Sequence, residues 1–63
     1  MSAGQLLRQW RETRDIDQRT LARELGVTQS TISLIERDQL MPGLVLSVKI
    51  EQLTGIAPRE WYR

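Results

Sequence analysis

The sequence predicts an all-α fold, a compact set of five short helices spanning residues 1–63 as a single domain. Three observations predict it. Apolar residues recur three and four apart, as one face of a helix requires, and no segment alternates convincingly like a strand. Ser2, Asp17 and Thr28, all good N-caps, each precede one of these periodic runs. Gly26, Pro42-Gly43 and Gly55 punctuate the chain where helices stop.

Each element has its own justification. Ser2 with Gln5 forms a capping-box pattern and starts a helix that runs to about Thr13. Asp17 caps a second helix, Gln18 to Leu25. Its Leu21 and Leu25 are four apart and share a face with Ala22, a small residue where the next helix approaches. Gly26 takes the left-handed conformation that turns the chain sharply, and Val27 plugs the turn. Thr28 caps a third helix, Gln29 to Glu36, in which Ile32 and Ile35 face inward. That leaves Gln29, Ser30, Ser33 and Arg37 outside, with Leu34 near the edge. Arg37 to Pro42 forms a loop, followed by a fourth helix from about Leu44 to Thr54 that stops at Gly55. Pro58 opens a final short helix through Tyr62. The expected core is Leu7, Trp10, Leu21, Ala22, Leu25, Val27, Ile32, Ile35, Leu46, Ile50, Leu53 and Trp61.

Composition excludes several function classes. With 63 residues the chain lies near the lower limit for folding alone. It contains neither cysteine nor histidine, so no disulfide or thiolate metal site braces it, and no metal or cofactor is expected. It carries no Gly-rich phosphate loop and no paired-carboxylate motif, and we expect no enzyme. No apolar run is long enough to span a membrane, and no signal-peptide pattern opens the chain, so a cytoplasmic location is expected. The Met start and the absence of a tag lead us to expect a natural full-length chain.

The run QRTLARELGVTQSTISLIER, Gln18 to Arg37, carries the functional signal. Two short helices joined at Gly26, the second with small polar residues outside, form the layout of a helix-turn-helix. The second helix of that motif is shaped to enter the DNA major groove. A glutamine amide, with one acceptor and two donors, matches the N7 and N6 edge of adenine. Polar residues are common on helix exteriors, but inside a complete helix-turn-helix that exterior is normally the DNA surface.

The chain resembles the helix-turn-helix domain of lambda-like phage repressors and Cro proteins. The match lies in Gln18 at the start of the first motif helix, Ala22 at the small site, Gly26 in the turn, and Ile32 and Ile35 in the second helix. It extends outward to GQLLRQWRETRDI as a first helix, PGLVLSVKIEQLTGI as a fourth helix with its stop, and PREWYR as a short fifth helix. The resemblance implies that Gln29 contacts a base, with Gln18 reaching the phosphate backbone and holding Gln29 in place. It places Ser30, Ser33 and Leu34 toward the bases, Leu34 against thymine methyls. Gln18, Arg19, Thr28, Arg37 and Arg14 are then the backbone contacts. It also implies a structural ion pair between Arg11 and Glu36 that fixes the recognition helix on its scaffold. Family members often dimerise through their C-terminal region, which makes Ile56, Pro58 and Tyr62 the expected interface, while Trp61 packs on the core. The implied partner is a double-stranded operator in a bacterial host, nucleoid-associated, bound by a homodimer that is weak or monomeric when free.

Charge sets a limit on that reading. The net charge is only +1, and duplex affinity comes largely from phosphate neutralisation. The loop RDQLMPG is poor in basic residues, and Arg37-Asp38 stands where the family often has Asn-Gly. Asp17 also sits beside the expected phosphate path. Arg8, Arg14, Arg19 and Arg37 can still form a basic rim. We therefore expect few phosphate contacts, moderate affinity per subunit, and dependence on dimerisation. Leu40 and Met41 are adjacent apolar loop residues that either tuck against the fourth helix or offer a spot to a protein partner. The alternative is thus a protein-binding module on the same fold, an anti-repressor or antitoxin-type partner.

Overall fold

The computed structural model of the chain describes residues 1–62. Four α-helices follow in order: α1 Ala3–Thr13, α2 Gln18–Leu25, α3 Gln29–Glu36 and α4 Leu44–Thr54. The expected fifth helix, from Pro58 through Tyr62, is instead a single 3-10 turn, Pro58–Trp61. Four residues are too few to build an α-helical ladder. The segment closes with three-residue bonds, Glu60 N to Ala57 O at 3.0 Å and Tyr62 N to Arg59 O at 3.3 Å.

Local chemistry explains the starts. At α1 both halves of the capping box form: Ser2 Oγ accepts from Gln5 N at 3.1 Å, and Gln5 Oε1 accepts from Ser2 N at 2.9 Å. Asp17 Oδ1 accepts from Thr20 N at 2.7 Å, and Thr28 Oγ1 from Thr31 N at 3.2 Å. The first three helices end alike. Residue pairs Ile16–Arg11, Val27–Ala22 and Gln39–Leu34 close the six-residue bond of a Schellman cap. The left-handed residue in each cap is Asp15 (φ 57°), Gly26 (φ 73°) and Asp38 (φ 59°).

Leu7, Leu21, Ala22, Leu25, Ile32, Ile35, Ile50 and Trp61 form one continuous buried cluster with Ala3. Trp10, Val27 and Leu46 line its edge half-buried, joined by Ile16 and Ile56, which the periodicity did not single out. Leu53 departs from expectation: it is 38% exposed. It sits at an open edge with Arg23 and Gly26, where the short α2 ends and leaves the last turn of α4 uncovered. Ser47 fills an inward slot of α4 instead, fully buried, its hydroxyl donating to Leu44 O at 2.8 Å. Among the described residues no helix is long and apolar enough to cross a membrane.

Candidate nucleic-acid interface

The two faces of α3 are built differently. On the inner face Ile32 and Ile35 are fully buried, which sets the rotation of the helix. That rotation turns Gln29, Ser30, Ser33 and Leu34 outward. Together with Gln18 and Arg37 they line one shallow surface depression. The four residues expected to read bases are therefore neighbours on a single surface, with two of the expected backbone contacts at its rim. Gln29 and Ser30 are exposed, while Ser33 and Leu34 are half-covered. Arg37 folds back along the helix, Nε donating to Ser33 O at 3.3 Å.

Behind this surface lies a buried polar cluster. Arg11 grips Glu36 with two nitrogens, Nε to Oε2 at 2.7 Å and Nη2 to Oε1 at 3.0 Å. A third nitrogen, Nη1, donates to Ile16 O at 2.9 Å and so ties the turn before α2. The side chains are 12% and 2% exposed, so this pair is shielded from solvent in a way a surface pair is not. The hydrogen bond that Arg11 donates to Glu36 raises the Arg11 pKa above its ordinary value, outweighing the opposing effect of burial. The paired geometry expected of Arg11 and Glu36 is present.

Gln18 holds a different place from the expected one. Its Nε2 donates to Glu36 Oε1 at 3.0 Å, so the amide braces the buried carboxylate and not Gln29. A buried carboxylate needs donors for its remaining lone pairs, and the first turn of α2 is within reach. Arg14, unlike Gln18, lies away from the depression. Its guanidinium stacks 4.2 Å from the Trp10 ring centre and donates to Trp10 O at 3.4 Å. Arg8 pairs with Glu12 at 3.3 Å on the exposed face of α1, which weakens the basic rim further. Arg19 and Thr28 are exposed, the latter sharing a hydroxyl contact of 3.0 Å with Thr31. The Asp17 carboxyl is held below its ordinary value, first because Thr20 N–H donates to it.

The C-terminal residues also rearrange. Ile56 packs against the core and Pro58 is half-covered, so of the three expected interface residues only Tyr62 is exposed, at 52%. Its hydroxyl donates to Pro42 O at 2.7 Å and pins the loop before α4. Leu40 and Met41 stay exposed. In sequence they are followed by Leu44, Val45 and Val48 on α4, all exposed, and no charged residue lies between Gln39 and Val48. This strip was not legible from periodicity, because Leu44, Val45, Leu46 and Val48 spread apolar side chains around the start of α4.

The amino-acid sequence matches the helix-turn-helix family over residues 7–61, which span the tight turn between α2 and α3 and the polar outer face of α3. The chain belongs to the Cro/repressor-type helix-turn-helix family. This is a family of DNA-binding regulators, generally not enzymatic. No curated protein and no solved structure matches the chain.

Proposed function

We propose that this family member is a sequence-specific regulator that reads the major groove of double-stranded DNA with α3, as a homodimer. It is Cro-like or repressor-like and of phage or prophage origin. The observation that carries this reading is the shared depression lined by Gln18, Gln29, Ser30, Ser33, Leu34 and Arg37. Gln29 pairs with an adenine edge, Ser30 and Ser33 with neighbouring bases or phosphates, and Leu34 with a thymine methyl. Arg37, Arg19, Thr28 and Gln18 supply the backbone contacts. Arg14 serves that role only by leaving its place on Trp10.

The low net charge makes a second subunit necessary for useful affinity. The uncharged strip from Leu40 to Val48, with Tyr62 adjoining it through Pro42, is the surface for that second copy. A two-fold pairing there brings apolar surface together without facing like charges. Recognition helices of such a dimer should sit about 34 Å apart, one duplex turn. The exposure of Leu40 and Met41 also favours a second reading, in which the fold docks another protein.

Fluorescence anisotropy on the duplex upstream of the protein's own gene, titrated against salt and unrelated competitor, separates the two readings. A regulator shows binding that resists competitor and weakens steeply with salt. A protein-binding module shows no such salt slope. Val45→Asp, which places a charge on the strip, should abolish dimers in sedimentation and weaken duplex binding while leaving the helical fold intact.

A further inference from the structure

Asp38 is an acidic residue just past the end of α3, and its side chain is engaged with the start of α1. Its Oδ2 accepts from Ser2 Oγ at 2.7 Å and its Oδ1 from Gly4 N at 3.3 Å. The carboxylate thus sits on the N-terminus of α1, where helix dipole and open N–H groups favour a negative charge. Its backbone is left-handed, the conformation glycine holds at the end of α2. Gly4 makes the approach possible. A side-chain carbon there would collide with Ile35 O and the Asp38 carboxylate and crowd Glu36 O, all at the end of α3.

We propose that Asp38 is a positioning residue for DNA recognition. This rests on the DNA-reading role proposed above for α3. Glu36 fastens the end of α3 to Arg11, late in α1, and Asp38 fastens it to Ser2 and Gly4 at the start of α1. The two attachments are about 10 Å apart along α1. One attachment alone permits α3 to pivot about it; two fix the direction in which Ser33, Leu34 and Arg37 project. An acidic residue at this point then aids recognition although its charge opposes phosphate.

The test compares D38G and D38N with the parent. Glycine suits the left-handed backbone but removes the attachment. Asparagine also tolerates that backbone, and it can accept from Gly4 N–H while donating to Ser2 Oγ. Amide exchange in the free protein should quicken about tenfold at Gly4 and Gln39 in D38G, with Leu7 and Ile50 unchanged, and stay near parental in D38N. The ratio of specific to non-specific duplex affinity at one salt concentration should fall about fivefold in D38G and hold in D38N. Unchanged exchange in D38G overturns the attachment, as does D38N exchanging as fast as D38G. A specificity ratio that holds or rises in D38G overturns the positioning role and leaves Asp38 a simple opposing charge. If the parent binds no duplex, the DNA reading of α3 falls with its positioning residue, while the exchange comparison still decides whether the attachment exists.

Discussion

On its inner side α3 presents Ile32, Ile35 and Glu36, all buried and all in contact with other helices. On its outer side the same eight residues present Gln29, Ser30 and Ser33, short or flexible polar groups that the fold does not consume. The inner side is over-determined. Arg11, Gln18 and Ile16 O are all tied into one polar cluster around Glu36, so the helix has one seat. The outer side is under-determined by folding and free to be specified by a ligand. Substitutions on the outer side should therefore change recognition with little effect on stability, and those on the inner side should act first on stability.

The largest effect should come from the inner side. Arg11→Met leaves Glu36 buried beside an apolar chain and should cost about 3–5 kcal/mol, measured by urea unfolding. For so small a domain that approaches the whole of its stability. Duplex binding should fall with folding, and the specificity of the folded fraction should fall as well, because the attachment of α3 to Arg11 is gone. A double substitution, Arg11→Met with Glu36→Leu, should recover much of the stability, because two apolar groups replace a matched pair of charges. Failure to recover would mean that Gln18 and Ile16 O also depend on the pair.

Gly4→Ala comes next. The added carbon meets backbone oxygens at the end of α3, which cannot rotate away, and a shift of α1 should cost about 1–3 kcal/mol in thermal unfolding. Gln29→Ala tests the outer side. It should change stability by less than about 0.5 kcal/mol and cost about 1–3 kcal/mol of discrimination at one base-pair position, read by competition with single-substitution duplexes. Equal affinity for all substituted duplexes before and after the change would remove Gln29 from base reading.

The smallest effect concerns the cap of α2. The folded Asp17 carboxyl lies below its ordinary value of 3.8, because the ionised form accepts the Thr20 N–H. Its contribution is fully present above that ordinary value and is lost as pH falls through the lower, folded one. Thermal melts at decreasing pH should show a smaller acid loss for Asp17→Asn, which keeps a cap acceptor but cannot titrate, than for the parent.

How much of this was legible follows from the range of the forces involved. The four α-helices and their starts and stops rest on bonds between residues two to five apart. Ser2, Asp17, Thr28 and Gly26 therefore announced them in the sequence. The outward set on α3 was legible for the same reason, since helical spacing alone turns Gln29, Ser30 and Ser33 away from Ile32 and Ile35. The Arg11–Glu36 pair was legible through its family pattern, although 25 residues separate the partners.

Long-range packing decided the rest. Gln18 turned to Glu36 because a buried carboxylate with unused lone pairs lay within reach, a fact set by where α1 meets α3. Leu53 stayed exposed because α2 ends beside it and leaves the last turn of α4 uncovered. Asp38 read only as an acidic residue where the family often has glycine, and the fold gave its carboxylate partners by bringing the start of α1 to it across 34 residues of chain. Helical periodicity ranks faces within one element. Which of those faces finds a partner, and which polar group finds a donor, depends on contacts between elements that no local pattern encodes.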